Sequence, residues 1–253
     1  MNLKRFDEKV VVISGGGTGI GKACAKAFAK EGATVVIAGE IDKPLKDTVN
    51  EINSEGGRAE YITTDISYSD QVNKLINTVI DKHGKLDIYI ANAAVGMGKQ
   101  ITETSDEDVH KLVDVNVKGT YFQLRKATEI MKKQGYGNIV AMSSISGDVG
   151  HADMTLYCST KAAITNLVRA LALELATSNI RVNAVCPGTI DAPMSVQGEP
   201  ITSPRVKSII EEEPMKRLGL PSEVAAVVLF LASDDASFVT GSAYTVDGGY
   251  EAG

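Results

Sequence analysis

The chain of 253 residues contains no tryptophan, three histidines and three cysteines. Cys24, Cys158 and Cys186 are odd in number, far apart and without a CxxC pair. With so few histidines to join them they supply no zinc-type ligand set and no disulfide framework, so buried free thiols and no metal are expected. Blocks of positive charge are missing too: no run of Lys or Arg exceeds two residues, and the formal net charge is -6. Nucleic acid and anionic membranes, which select basic patches, are therefore unexpected partners. Near the N-terminus the apolar run VVVIS (10–14) spans only five residues, too short for a signal-peptide core or a membrane span. The expectation is a cytoplasmic protein with small-molecule ligands.

What is present builds a core. The chain is 43% hydrophobic and 23% charged, without low-complexity tracts, a composition of folded rather than disordered proteins. Short Val- and Ile-rich runs alternate with longer amphipathic segments, the pattern of parallel strands covered by helices on both faces. Strands are expected at 10–14, 34–39, 59–64, 86–91, 138–143, 181–186 and 243–247, and helices near 19–31, 42–55, 69–83, 106–134, 156–177 and 221–232. The helix at 156–177 places Ile164, Leu167, Val168, Leu171 and Leu175 on one stripe, a core or subunit face. One α/β domain over residues 1–253, with a seven-stranded parallel sheet, is the architecture this alternation predicts. The proline-rich segment from Pro187 to Pro221 interrupts it. Long irregular insertions in compact domains are commonly functional lids, and a substrate lid is assigned to about 189–215.

Directly after the first strand comes SGGGTGIGKA, Ser14 to Ala23. Gly16 to Lys22 fits the phosphate loop of nucleotide hydrolases, but the next position needs a hydroxyl for magnesium and is Ala23. The strict dinucleotide fingerprint GxGxxG is also missed. The three jobs glycine performs in dinucleotide sites can still be assigned: Gly15 permits a tight turn, Gly19 lets the backbone approach phosphate, and Gly21 lets the helix lie close on the strand. The free amides and positive dipole end of the following helix suit a pyrophosphate.

Further along lie TDI at 64–66, ANAA at 91–94, NVKG at 116–119, SS at 143–144, YCSTK at 157–161, PG at 187–188 and DGG at 247–249. Together with the glycine loop, their order and spacing resemble the short-chain dehydrogenase/reductase family from about residue 6 to residue 250. The loop differs from the family's TGxxxGxG only in having Ser14 for Thr, which keeps the hydroxyl. The resemblance implies a single-domain, doubly wound Rossmann fold and an oxidoreductase that uses NAD or NADP to interconvert a secondary alcohol and a ketone. It also implies a homotetramer, assembled through the helices near 106–134 and 156–177 and the final strand.

Charge at the end of the second strand bears on the cofactor. A carboxylate there accepts hydrogen bonds from ribose hydroxyls and repels the extra phosphate of NADP. The strand ends AGEID, so Glu40 stands where NADP-using relatives often have Arg, and Thr18 occupies a loop position often basic in that group. NAD is expected, with NADP less favoured and Lys43 the one nearby cation that opposes the argument. By resemblance, Gly15, Thr18, Gly19, Ile20 and Gly21 hold the phosphates. Asp65 and Ile66 hold the adenine edge, Asn92 and Ala93 line the groove, and Pro187, Gly188 and Ile190 meet the nicotinamide end.

Tyr157 and Lys161 are four apart on an expected helix, hence on one face. Reduction of a carbonyl by hydride puts negative charge on oxygen, which then needs a proton; oxidation needs the reverse. A phenol with its ordinary pKa of about 10 is a poor base at neutral pH unless a cation favours the phenolate. The ammonium of Lys161 and the positive nicotinamide ring are the expected cations. Ser144 donates to the substrate oxygen as charge develops, with Ser143 as a less favoured substitute. The resemblance gives Lys161 a grip on the nicotinamide ribose and Asn116 a water that links the lysine to solvent. Three departures stand out: in ANAA, Ala91 replaces an asparagine and Ala94 a glycine of the family's NNAG, and Ala192 replaces the threonine after PG. Substrate contacts are expected from Ser144, His151 and Met194, and specificity from 95–99, 147–154 and the lid. The alternatives are a 3-oxoacyl thioester reductase using NADPH, for which only Lys132 and Lys133 offer a basic patch, and a nucleotide-binding protein without turnover.

Overall fold

The computed structural model describes residues 4–196 and 198–252. Seven strands form one parallel sheet: β1 Val10–Ser14, β2 Thr34–Gly39, β3 Arg58–Thr63, β4 Ile88–Ala91, β5 Gly137–Met142, β6 Ile180–Pro187 and β7 Ala243–Val246. Their order is β3-β2-β1-β4-β5-β6-β7, the doubly wound Rossmann arrangement. The Val and Ile runs form strands because both faces are covered. In β1, Val11 and Ile13 enter the core layer beneath α1 (Gly19–Lys30), α2 (Asp42–Ser54) and the C-terminal α9 (Pro221–Ala232). Val10 and Val12 enter the opposite layer, beneath α3 (Ser69–His83), α5 (Thr120–Gln134) and α6 (Thr155–Leu175). Crossovers depart in opposite directions from β1 and β4, leaving a crevice at the carboxyl ends of these two neighbours.

Expected and observed elements differ in two places. The helical pattern at 106–134 is not uniform: α4 (Asp106–Leu112) passes into a widened π-type turn, Val113–Gly119, before α5. The segment from 187 to 221, expected to be irregular, carries two short helices, α7 (Pro193–Val196) and α8 (Pro204–Glu212). Prolines at the first helical position start both α8 and α9, where a missing N–H costs nothing. The stems of this excursion are clasped by a parallel bridge between Ile190 and Gly219, with Asp191 N–H donating to the Gly219 carbonyl at 2.8 Å and Gly219 N–H to Thr189 at 3.0 Å. Within 189–215, Gln197 lies outside the described residues. On α6, Ile164, Val168 and Leu175 are core, with Leu167 and Leu171 packed at its edge. Cys24 and Cys186 are buried free thiols, and Cys158 is half-buried. Among the described residues no helix is long and apolar enough to cross a membrane.

Candidate active site

The crevice between β1 and β4 is a cleft of about 340 Å³, within the range of small-molecule sites. Its floor is the glycine loop. Gly15 has φ +66°, and a Cβ there would lie 2.7 Å from the Asn92 amide nitrogen, while a Cβ at Gly21 would run into the Gly15 carbonyl. The loop is tied to the end of β4 from both sides. Ser14 Oγ accepts from the backbone N–H groups of Asn92 and Ala93, each at 3.0 Å. Asn92 Nδ2 donates back to the carbonyls of Ser14 and Gly15 at 3.0 and 3.3 Å. Asn92 therefore spends its side chain on shaping the loop. At the start of α1 no acidic residue occupies the first turn and Thr18 makes no side-chain cap bond, so the amides there are available to an anion. A diphosphate fits this cradle. Magnesium-dependent hydrolase chemistry does not: Lys22 reaches away to Glu51 at 2.6 Å, and Ala23 follows it.

Beyond the loop the cleft runs past Glu40, Ile41, Pro44, Leu45, Thr64 and Ile66. Partial burial raises the pKa of the Glu40 carboxyl, the neighbouring charge of Asp65 adds to this, and Lys111 opposes it. Lys43, the cation expected to complicate the charge argument, is bound to Asp47 at 2.6 Å. Lys111 on α4 is the cation that sequence spacing missed, because a different layer brings it near. Asp65 is not among the lining residues. Its carboxylate accepts from the Ser67 backbone N–H at 2.9 Å and the Ser67 hydroxyl at 2.7 Å, which fixes the turn presenting Thr64 and Ile66.

At the other end Ser144, Tyr157 and Lys161 converge on the cleft, 9%, 8% and 2% exposed. Tyr157 and Lys161 sit one turn apart near the start of α6, with Lys161 Nζ 5.6 Å from the Tyr157 ring centre. That ammonium also donates to the Met142 carbonyl at 2.9 Å. Ser144 caps a short turn after β5, its Oγ accepting from Ser146 N–H at 3.1 Å, and it lowers the Tyr157 pKa through a hydrogen bond. Ser143 is committed elsewhere: its Oγ lies 3.0 Å from the Lys161 carbonyl and 2.8 Å from Thr165 Oγ1, pinning α6 to β5. Asn116, fully buried in the widened turn, accepts from Val95 N–H at 2.9 Å and donates to the Val95 carbonyl at 2.9 Å and Thr160 Oγ1 at 3.1 Å. Burial pushes the Tyr157 phenol up to about 12 and the Lys161 ammonium down to about 8. Both shifts favour the neutral forms, because burial takes each charge out of water; the lowering of the phenol was expected from Lys161 together with the positive nicotinamide ring.

The excursion crosses the open side. At Gly19 a Cβ would lie 3.2 Å from Ala192 Cβ, and at Gly96 it would lie 3.0 and 3.2 Å from Met194 Cγ and Sδ. Ala94, Val95, Ile190, Pro193 and Met194 line this end, as do Pro187 and Gly188. His151 does not; its ring packs on Tyr250, centres 5.7 Å apart. Asn116 and Gly21 also lie behind the lining, where they shape it. Among the described residues no group of three or more His, Cys, Asp or Glu is placed to hold a metal.

A family model described as Enoyl-(Acyl carrier protein) reductase matches residues 15–251. The chain is 37% identical over 246 residues to a 3-oxoacyl-(acyl-carrier-protein) reductase of Thermotoga maritima, covering 97% of this chain and 98% of that one. It is 35% identical over 251 residues to a cyclopentanol dehydrogenase of Comamonas sp., covering 99% and 100%. The solved structure of a levodione reductase superposes with a TM-score of 0.93 at 31% identity, covering 98% of this chain and 99% of the other.

Proposed function

Because this chain belongs to the short-chain dehydrogenase/reductase family of NAD(P)-using oxidoreductases, we propose that it interconverts a secondary alcohol and a ketone with NAD, using Tyr157 as acid and base. The convergence of Ser144, Tyr157 and Lys161 on one end of a cleft whose other end is an anion cradle carries this reading. A bound nicotinamide takes up or gives the hydride. In the oxidative direction Tyr157 Oη accepts the alcohol proton while Ser144 Oγ donates to the same substrate oxygen, stabilising charge that develops only as hydride leaves. Lys161 would hold the nicotinamide ribose, and its ammonium together with the positive nicotinamide ring would favour the phenolate against the burial that raises the phenol. Asn116 keeps the turn between Val95 and Thr160 in place and presents a route for water to the lysine. The excursion over 189–215 acts as a lid, closing on the glycine loop at Ala192 and on Gly96 at Met194.

Gly15, Thr18, Gly19 and Ile20 would face the diphosphate, and Glu40 would accept from the adenosine ribose, where a 2'-phosphate would meet the Glu40 carboxylate, with the charge of Asp65 behind it and Lys111 opposing. A second reading, reduction of 3-oxoacyl thioesters with NADPH, has the Thermotoga relative in its favour. The surface weighs against it: Lys132 lies 3.8 Å from Glu174 and Lys133 2.8 Å from Glu129, leaving little basic patch for an acyl carrier. Fluorescence titration with NADH and NADPH, followed by assays on alcohols at alkaline pH and on 3-oxoacyl thioesters, separates the two. We expect tighter NADH binding and alcohol-dependent NADH formation. Equal or reversed affinity, with thioester reduction faster, would establish the second reading instead.

A further inference from the structure

We infer that the substrate is an uncharged, mainly apolar secondary alcohol or ketone, and that Met194, seated over Gly96, sets the shape it must have. This rests on the alcohol–ketone reading above and narrows it. The first support is the distribution of charge. Among the described residues that line the cleft, only Glu40 and Lys161 are charged. Glu40 sits at the far end, past the glycine loop, and the Lys161 ammonium is engaged by the Met142 carbonyl. Two cations of the β4 loop and the lid are likewise paired. Lys99 binds Asp108 at 2.6 Å, holding that carboxyl down to about 2, and Arg205 binds Glu199 at 2.6 Å and the carbonyls of Ser195 and Val196. The Lys99 backbone N–H donates to the Asp153 carbonyl, so the 95–99 and 147–154 segments are joined through backbone rather than through a free charge. A carboxylate or phosphate entering here would lose water and find only the buried Lys161 ammonium, already bonded to the Met142 carbonyl, to offset the loss, which is unfavourable.

The second support is the wall itself. Ala94, Val95, Ile190, Pro193 and Met194 present carbon and sulfur to the space beside Tyr157. Met194 reaches in because residue 96 has no side chain: its Cγ and Sδ lie 3.0 and 3.2 Å from where a Cβ would stand. At 46% exposure the thioether retains room to shift, and methionine adapts to irregular apolar shapes. Gly96 and Met194 thus form one contact between the lid and the β4 loop, with the substrate as its third member.

The test compares kcat/KM with NAD for 2-alkanols and cycloalkanols against hydroxy acids of the same carbon skeleton. Neutral alcohols should exceed the acids by at least about a hundredfold, and Met194→Lys should narrow that gap by about tenfold or more by bringing a cation. Gly96→Ala, which forces the thioether aside, should raise KM for the neutral alcohols with kcat changed less than about twofold and NADH affinity kept. Comparable turnover of acids and neutral alcohols by the unmodified protein would overturn the inference, as would a gap untouched by Met194→Lys together with an unchanged KM in Gly96→Ala. If NADH binds tightly yet no alcohol or ketone of either kind reacts, the alcohol–ketone reading falls, and this inference with it.

Discussion

Lys161 carries two conflicting requirements on one side chain. The proposed chemistry wants an ammonium beside the Tyr157 ring, yet the group is 2% exposed and its pKa is down to about 8 from 10.5, chiefly through burial. Below about pH 8 the folded protein therefore carries this charge at a desolvation cost that the unfolded chain does not bear. Between about pH 8 and 10.5 the unfolded chain keeps a proton on this lysine that the folded chain gives up, so stability rises with pH across that window. Relative to Lys161→Met, the unmodified protein should gain on the order of 3 kcal/mol from one end of the window to the other. Denaturant melts of both proteins at a series of pH values would show converging curves, and parallel curves would contradict the burial argument. The YCSTK spacing made this pair legible, because positions four apart share a helix face. The clasp of Ser14 with Asn92 and Ala93 was not legible as a contact. Its members are nearly eighty residues apart, and only the neighbouring of β1 and β4 brings them together.

Among the elements, the strands were the most readable and the excursion the least. Runs such as VVVIS and TVVIAG, short, β-branched and ended by glycine, read as parallel strands buried on both faces, and the seven expected strands lie within a residue or two of the observed ones. The widened turn at Val113–Gly119 leaves no such trace, since its residues fit ordinary helix. The helices α7 and α8 were hidden because proline is normally a breaker and here stands at helix starts. Arg205 joins them by bonding the Ser195 and Val196 carbonyls that end α7. Its ion pair with Glu199 is at the surface and contributes little to global stability. Arg205→Ala should thus shift Tm by no more than about 4 °C while lowering kcat/KM for the alcohol about tenfold through a loosened lid. A large loss of Tm with kcat/KM retained would assign the arginine to folding instead of closure.

The molecule as a whole is a sheet whose two core layers are nearly complete, with apolar side chains left over outside them. Leu173 on α6 is 80% exposed and Tyr121 on α5 is 50% exposed, on the two helices through which assembly was expected. We therefore retain the homotetramer as a proposal. Sedimentation equilibrium should give four chains per particle for the unmodified protein and a smaller species for Leu173→Glu, since a charge in a closed interface must be desolvated. A monomer at micromolar concentration in both would remove the proposal without touching the site.

The central claim is that Tyr157 takes the hydroxyl proton of the alcohol whose carbinol carbon gives up the hydride. It is tested most directly by mixing the NAD-loaded protein with a secondary alcohol, carrying either hydrogen or deuterium at the carbinol carbon, and following NADH in a single turnover. The unmodified protein should form NADH more slowly from the deuterated alcohol. Tyr157→Phe should bind NADH almost as well yet lose roughly 10²–10⁴-fold in rate. NADH formation by Tyr157→Phe at the unmodified rate, with the same isotope effect, would show that another group moves the proton and would contradict the account.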